Sequence, residues 1–306
     1  MDNGPVRKAN DSEINKGKNK GKSKEINRGI KTYQNLEKDP GFELLKRTIS
    51  GNTGFNCEYY KEAHFKRRIN VRVRATNSES YGAYLKLLKK DPEEYEFLLD
   101  ALTVNVSEFF RNPETFRIIE KDVVPSLVTN RSGLFIRSIR IWSAGCAAGE
   151  EAYSLAILLH RTLKNDFNKY RIRIIGTDID IQSLEKAKKG IYNENSLKNL
   201  DPGTKERYFF KQGDNYQVID EVKNITQFKR HDLISDPRID HFDLIVCRNV
   251  MIYFKKEIQE QLQLSFYRAL EKGGFFIIGK SETLLDTASS FFRSYNTRER
   301  LYIKEI

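Results

Sequence analysis

The sequence predicts an α/β fold: a mostly parallel, doubly wound sheet with an antiparallel last strand and a small antiparallel β insertion, preceded by a small all-α domain. Two patterns predict it. Apolar residues recur at helical spacing between residues 41 and 130. From residue 131 to residue 306, short apolar runs alternate with helix-like stretches, which is typical of parallel strands joined by crossover helices.

The first 40 residues form a basic tail. Residues 1–38 contain ten Lys or Arg and five Asp or Glu, so they carry +5 of the formal net charge of +11. Large apolar residues are rare there, so burial cannot offset the entropy of ordering, and the tail is predicted to be disordered. Its charge gives at most a weak attraction to acidic surfaces.

Four helices are predicted in the all-α domain. The first contains Phe42, Leu45 and Ile49 and is expected to break at Gly51–Gly54, and the others span Tyr59–Ala75, Tyr81–Leu88 and Glu93–Leu102. On the second helix, Lys61, Arg68 and Arg72 lie within about 40° of one another at 3.6 residues per turn. Two interpretations stay open: a docking surface for an acidic partner, and a solvated basic face.

A glycine turn opens the α/β domain. The apolar strand Ile139–Trp142 leads through Ser143–Gly149 into a helix that begins at Glu150 and Glu151. Gly145 allows the backbone to pass close to a ligand, and the helix start offers unpaired N–H groups. The two carboxylates argue against a phosphate. They suit a ligand with ammonium and hydroxyl groups, such as S-adenosylmethionine; an ordinary tight turn is the alternative.

A second acidic element follows the next strand, which begins at Ile172. Asp178 stands at its carboxyl end, where an acid beside the first strand can accept hydrogen bonds from ribose hydroxyls. The alternative is helix capping, for which Asp180 is better placed.

The remaining strands complete the predicted sheet. Main-sheet runs are predicted near Phe228, at Phe242–Cys247 and at Phe275–Ile278, with a terminal hairpin of Phe291–Tyr295 and Arg300–Ile303. Between residues 207 and 228, an antiparallel insertion is predicted from Tyr208–Phe210, Tyr216–Ile219 and Ile225–Phe228. The insertion could bind a peptide by strand addition, or serve as scaffold or lid.

Several classes of protein are excluded by composition. No apolar run is long enough to cross a bilayer, so no membrane insertion is expected, and the polar N-terminus lacks the apolar block of a signal peptide. Cys57, Cys146 and Cys247 are widely separated, which favours a reducing cytoplasm without disulfides. The four histidines are scattered, so no metal is predicted.

Five ordered motifs carry a resemblance to a known family. They are N-V-S-E-F-F-R, W-S-A-G-C-A-A-G-E-E-A-Y-S, G-T-D-I-D, C-R-N-V-M-I-Y-F and G-G-F-F-I-I-G-K-S-E. Across residues 41–304 the chain resembles the chemotaxis receptor methyltransferases, the CheR family. The resemblance implies a Rossmann-like class I methyltransferase domain, S-adenosylmethionine as cofactor with S-adenosylhomocysteine as product, and methylation of glutamates on the cytoplasmic helical bundle of chemoreceptors for sensory adaptation.

The resemblance also implies roles for individual residues. It places Asn105, Ser107, Arg111, Arg248 and Asn249 at the cofactor. Glu151, or its neighbour Glu150, would hold the methionine ammonium, and Asp178 the ribose. Asp232, where the family usually has Asn, and Leu233 would flank the adenine. Together with Gly145, the predicted cofactor-binding residues are Asn105, Ser107, Arg111, Gly145, Glu150, Glu151, Asp178, Asp232, Leu233, Arg248 and Asn249.

Two residues are predicted to be catalytic, Arg111 and Tyr253. A substrate glutamate, with a pKa of about 4.3, is already ionised at pH 7, so its attack on the methyl group requires no general base. Positioning is what the displacement needs. The guanidinium of Arg111 can hold both carboxylate oxygens, and the Tyr253 hydroxyl is a second donor.

The turn between Phe210 and Tyr216 looks shorter than in family members that bind a receptor's C-terminal pentapeptide, so a pentapeptide-independent enzyme is predicted. A monomer is also expected.

Two rival functions are the alternatives. A nucleic-acid methyltransferase is disfavoured because no Asn-Pro-Pro-Tyr or Pro-Cys motif occurs, so no specific nucleic acid is expected. A non-catalytic cofactor sensor is disfavoured by the presence of Arg111 and Tyr253.

Overall fold

The computed structural model describes residues 39–103, 107–131 and 137–305. The predicted disordered tail, apart from its last two residues, and Asn105 lie outside these ranges. The chain divides into two compact units. One, the helical unit, contains the chain up to Cys57 and Lys66–Leu98, and the other, the sheet unit, contains Glu58–Phe65 and everything from Leu99 onward.

The described residues 39–103 contain four α-helices: α1 Gly41–Thr53, α2 Glu62–Ala75, α3 Tyr81–Lys90 and α4 Glu94–Leu102. The break predicted at Gly51–Gly54 is confirmed at the end of that segment, because α1 continues through Gly51 and ends where Gly54 adopts a left-handed conformation with φ 70°. The second helix begins at Glu62 rather than Tyr59, since Cys57–Tyr59 form a 3-10 turn and Tyr60 bridges to Phe254.

In the described part of the chain, the main sheet has seven strands in the order β6-β2-β1-β7-β8-β10-β9. All neighbours are parallel except β10, which runs antiparallel to both β8 and β9. The predicted fold class is therefore confirmed. The strands are β1 Ser138–Ala144, β2 Arg171–Asp178, β6 Thr226–Arg230, β7 Phe242–Cys247, β8 Leu270–Ile278, β9 Phe292–Asn296 and β10 Leu301–Lys304.

The small second sheet contains three antiparallel strands, β3 Ile191–Asn193, β5 Asn215–Val218 and β4 Phe209–Gln212, in that order. The prediction that Ile225–Phe228 supplies its third strand is wrong. Thr226–Arg230 instead pairs in parallel with β2, and Phe228 packs against Tyr153 of the helix that follows β1. The contact with Tyr153 places Phe228 of β6 against the main core. Ile191–Asn193 instead supplies the third strand of the small sheet and pairs with β5.

The remaining helices cover the main sheet and its connections: α5 Pro113–Ile118, α6 Val124–Arg131, α7 Glu150–Leu163, α8 Ile181–Lys189, α9 Pro202–Tyr208, α10 Asp220–Lys223, α11 Lys256–Ala269 and α12 Asp286–Ser289. A π-helical turn, Ile119–Val123, joins α5 to α6. On one face of the sheet, Leu155 and Leu158 of α7 are buried, and on the other Phe266 of α11 packs on Trp142 and Phe276. Each such side chain contributes about 1.5–3 kcal/mol. Within the described ranges, every helix is too short or too polar to cross a bilayer.

Candidate active site

A cavity of about 200 Å³ lies at the carboxyl ends of β1, β2 and β7, the edge where open α/β sheets bind ligands. Its walls include ten of the residues predicted from the sequence. They are Ser107, Arg111, Gly145, Glu151, Asp178, Asp232, Leu233, Arg248, Asn249 and Tyr253. Glu150 is not among the lining residues, and Asn105 lies outside the described part of the chain.

The turn after β1 is tied to the end of β2. The N–H groups of Gly145 and Cys146 both donate to the carbonyl of Thr177, at 2.8 and 2.9 Å. Gly145 has φ 74°, and a Cβ there would lie 2.4 Å from Cγ2 of Val250. Glycine is therefore required both by the backbone conformation and by the close approach of the loop after β7.

Asp178 fixes the same turn from its other side. Its Oδ2 accepts from the N–H of Ala147 at 2.9 Å, and its Oδ1 accepts from the N–H of Asp180 at 3.0 Å. Burial raises the pKa of Asp178, and these backbone donors oppose the shift. Asp180, by contrast, caps α8 by accepting from the N–H of Gln182. Asp178 thus stays on the cavity wall with lone pairs left for hydroxyl donors.

Glu151 and Arg248 form a buried ion pair at the cavity. Nη1 of Arg248 lies 3.2 Å from Oε2 of Glu151, and the two side chains are 3% and 14% exposed. The other oxygen of Glu151 accepts from the Ser143 hydroxyl at 2.8 Å. Burial raises the pKa of Glu151, whereas the positive charge of Arg248 lowers it. Glu151 thus binds Arg248 and Ser143 and lies at a position on the cavity wall open to a cationic ligand.

Arg248 also holds the segment that carries Arg111. Its Nη2 donates to the carbonyl of Arg111 at 2.9 Å and to Oδ1 of Asn112 at 2.5 Å. Phe110 and Asn112, which flank Arg111, have φ 50° and 63°. Two non-glycine residues in the left-handed region mark a segment whose conformation is imposed by its surroundings. Arg248 is one cause, and the Ser154 hydroxyl, which accepts from the N–H of Phe110 at 2.9 Å, is another.

Glu150 lies beside the cavity rather than on its wall. It is 5% exposed, and its Oε2 is buried without a hydrogen-bond partner among the described residues. Burial raises the pKa of Glu150, and its main-chain and Ser107 hydrogen bonds oppose the shift. Two acidic residues at one helix start therefore face different surroundings, and Glu151 is the one that reaches the cavity.

At the β6 end of the cavity, Asp232 holds its own turn. Its carboxylate accepts from the N–H of Ile234 at 2.9 Å and from the Ser235 hydroxyl at 3.0 Å. Leu233 and His231 line the cavity next to it. Burial lowers the pKa of His231, which favours the neutral imidazole. His231 was not predicted, because a single histidine gives no spacing pattern.

The Tyr253 side of the cavity is built partly from the segment Glu58–Phe65. Tyr60 lines the cavity, and its ring lies 4.9 Å from that of Phe254. The N–H of Lys61 donates to the carbonyl of Tyr253 at 2.9 Å, and its Nζ donates to the carbonyl of Ile252 at 3.0 Å. Tyr60 was missed from the sequence because it lies within the predicted helical domain, far from the five motifs.

The three residues predicted to dock a partner have different surroundings. Lys61 precedes α2 and binds the loop after β7. Arg72 makes a bidentate ion pair with Glu94, at 2.9 and 2.7 Å, and Glu94 also accepts from the Tyr84 hydroxyl at 2.7 Å. Nε of Arg68 is buried without a hydrogen-bond partner among the described residues. The guanidinium of Arg72 is thus committed within the helical unit, and the docking role stays a prediction.

The donor set of the cavity fits S-adenosylmethionine. Glu151 and Asp178 offer carboxylates for ammonium and hydroxyl groups, and Gly145 keeps the wall free of a side chain. Leu233 and Val250 add apolar surface, as a purine requires. A doubly wound sheet with this acidic cavity at its carboxyl edge is the architecture of an S-adenosylmethionine-dependent methyltransferase.

Comparison with known proteins gives the family. Residues 105–300 match the model described as CheR methyltransferase, SAM binding domain, and residues 40–103 match CheR methyltransferase, all-alpha domain. The chain belongs to the CheR methyltransferase family, as the five motifs predicted, and S-adenosylmethionine is its cofactor.

Its relatives include chemotaxis protein methyltransferases of three bacteria. The chain is 36% identical to that of Listeria innocua and 35% identical to that of Listeria monocytogenes, in each case over 253 residues, 83% of this chain and 93% of the relative. It is 32% identical to that of Borreliella burgdorferi over 255 residues, 82% of this chain and 90% of the relative.

Proposed function

We propose that this enzyme transfers methyl groups from S-adenosylmethionine to glutamate side chains of chemoreceptors, forming γ-methyl esters that adjust receptor signalling. The observation that carries the proposal is the meeting of Arg111 and Tyr253 with Glu151 and Asp178 around one cavity. The names of the relatives, chemotaxis protein methyltransferases, support the same substrate. The cytoplasmic helical bundle of a receptor is then the partner, and the cytoplasm the location.

In this proposal, the acidic wall binds the cofactor and the basic wall binds the substrate. Glu151 holds the methionine ammonium and Asp178 the ribose hydroxyls. Ser107, Arg248 and Asn249 shape the wall between them, with Asp232 and Leu233 at the adenine. When bound, the cofactor supplies a methyl group on a sulfonium sulfur, and the glutamate oxygen takes this methyl as the sulfur keeps the bonding electron pair.

Arg111 and Tyr253 orient the acceptor carboxylate. A glutamate is ionised at pH 7, so the residues at the cavity need not remove a proton. Arg111 presents a fork of N–H donors that matches two carboxylate oxygens, and the Tyr253 hydroxyl adds a further donor. The apolar rings of Tyr60 and Phe116 border the same space and exclude water, which favours neutralisation of the carboxylate on methyl transfer.

The test uses receptor-containing membranes and radiolabelled S-adenosylmethionine. We expect label in receptor bands that mild alkali releases as methanol, and a loss of about 10²-fold in kcat for Arg111→Ala, because a misplaced acceptor loses orientation. Arg117→Ala is the matched control, since Arg117 is half exposed on α5 and pairs with Glu114 away from the cavity. An unfolding transition in urea that matches that of wild type, followed by the fluorescence of Trp142, shows that the variant is folded.

Two results would contradict the proposal. One is alkali-stable label in DNA or RNA and none in receptors, which would indicate a nucleic-acid methyltransferase. The other is tight cofactor binding without methylation of any receptor from the same cell, which would indicate a sensor.

We also propose that the enzyme acts as a monomer and without a pentapeptide tether. The β4–β5 turn contains only Gly213 and Asp214 between the two strands, which leaves little loop to close over a peptide. Titration with a receptor tail peptide should give no micromolar binding, and saturable binding that Phe210→Ala weakens would contradict this.

A further inference from the structure

Glu282 is a buried carboxylate with an unusual set of partners. It follows β8 and is 5% exposed. Its Oε2 accepts from the N–H groups of Gly279 at 2.5 Å and Asn249 at 3.0 Å. Its Oε1 accepts from the N–H groups of Val250 at 3.1 Å and Ile252 at 3.2 Å. One side chain thus satisfies four main-chain donors, three of which belong to the loop after β7.

Gly279 makes this close approach possible. A Cβ at Gly279 would lie 2.7 Å from Oε2 of Glu282 and 2.9 Å from the N–H nitrogen of Asn249. Both distances are shorter than real side chains allow, so any larger residue would push the carboxylate off the loop. The glycine and the glutamate of the G-K-S-E motif therefore act as a pair.

The loop held by Glu282 forms a wall of the cavity. Asn249, Val250, Ile252 and Tyr253 all line it, and Asn249 adopts φ 61°. That left-handed conformation lets consecutive N–H groups converge on one carboxylate, as in an anion-binding nest. From the other side, the main chain and ammonium of Lys61 bind the carbonyls of Tyr253 and Ile252.

We propose that Glu282 is a positioning residue for methyl transfer, because its carboxylate fixes the backbone of residues 249–252 and through it the place of the Tyr253 hydroxyl. This inference rests on the proposed function of Tyr253. Glu282 itself does not line the cavity, so it acts through the loop rather than on substrate. Burial raises its pKa, and main-chain hydrogen bonds from Gly279, Asn249, Ile252 and Met251 oppose the shift.

The first test measures the loop directly and needs no substrate. Glu282→Gln keeps the shape of the side chain but replaces one acceptor oxygen by an NH2 group, which faces two N–H donors. We expect faster hydrogen exchange at the amides of Asn249, Val250 and Ile252, measured in the full chain with S-adenosylhomocysteine bound. Gly279→Ala should accelerate the same amides, because it displaces the carboxylate without removing its charge.

Asp243→Asn is the matched control. Asp243 is 5% exposed, lies at the opposite end of β7 and accepts from the N–H of Arg140 at 2.8 Å. This variant also removes a charge from a buried carboxylate that binds main chain, but away from the cavity. It should lower stability while leaving exchange in residues 249–252 and kcat at wild-type values.

The second test is kinetic. Glu282→Gln should lower kcat by about 10²-fold, the scale of a 1 Å misplacement, while the variant still binds S-adenosylhomocysteine at one site per chain. Unchanged exchange at residues 249–252, or a kcat that equals that of Asp243→Asn, would overturn the inference. If wild type methylates no receptor, the proposed function fails, whereas the exchange measurement still decides the role of Glu282 in holding the loop.

Discussion

Replacing Arg248 by Met should destabilise the protein in a way that depends on pH. Arg248 is 3% exposed, and Met removes its charge while filling part of its volume. Glu151 then loses its ion-pair partner in a buried site, a change that typically costs about 3–5 kcal/mol. Protonation of Glu151 limits this cost. Protonating a carboxyl with the ordinary pKa of 4.5 at pH 7 costs about 3.4 kcal/mol, which is 1.36 kcal/mol for each of the 2.5 pH units between them. The loss of the ion pair therefore cannot cost more than about this amount at pH 7.

The sign of the pH effect follows from proton binding. In the variant, the pKa of folded Glu151 rises further above that of the unfolded chain, so the folded state binds a proton that the unfolded state does not. The free energy of unfolding therefore decreases as pH rises. Between pH 5.5 and pH 7.0 the deficit of Arg248→Met relative to wild type should grow by at most about 2 kcal/mol, which is 1.36 kcal/mol for each of 1.5 units.

Urea unfolding at the two pH values measures this difference. Trp142 in β1 is the only tryptophan of the chain and reports unfolding of the sheet by fluorescence. The control is Arg248→Met in a Glu151→Gln background, where the pH-dependent part should vanish and only the lost bonds to the carbonyl of Arg111 and to Asn112 remain. A deficit that is equal at both pH values, or larger at pH 5.5, would refute the reasoning.

Two further predictions concern the cofactor site and the core. Glu151→Gln should weaken S-adenosylhomocysteine binding by about 10- to 150-fold, because one hydrogen bond to a charged group contributes about 1.5–3 kcal/mol. Glu150→Gln should weaken binding less, because of the two residues only Glu151 lines the cavity. Calorimetry that gives the larger loss to Glu150→Gln would contradict this. Phe266→Ala should lower the free energy of unfolding by about 3–5 kcal/mol, since Phe266 is 1% exposed between Trp142 and Phe276. A smaller loss in urea unfolding would contradict this and would show that neighbouring side chains fill the space left by the ring.

The sequence was sufficient for the sheet and for the acidic side of the site. Long apolar runs alternating with helical stretches have few structural interpretations, and strand ends at Gly145 and Asp178 must meet at one edge of a parallel sheet. The motif resemblance added Arg111 and Tyr253, which no spacing rule would have joined, and both line the cavity.

The rest depended on contacts without a local pattern. Glu282 acts by accepting main-chain donors from a loop 30 residues away, and such a role leaves no periodicity in the sequence. Ile191–Asn193 is too short for strand alternation to be recognised. Phe228 alternates with polar neighbours, a pattern that fits a strand of either sheet. Only its parallel pairing with Gly176 assigns it to the main sheet.

The sheet unit is discontinuous in sequence, since Glu58–Phe65 belongs to it although the chain on both sides belongs to the helical unit. A domain boundary drawn between the regions matched by the two family models, near residue 104, would therefore cut through the sheet unit, which contains the cavity. A chain beginning at Leu99 would lack Tyr60, with its bridge to Phe254, and Lys61, with its bonds to Ile252 and Tyr253. Exchange of the helical domain between relatives would likewise exchange part of the cavity wall, so such chimaeras would also alter the main-chain contacts of Tyr253.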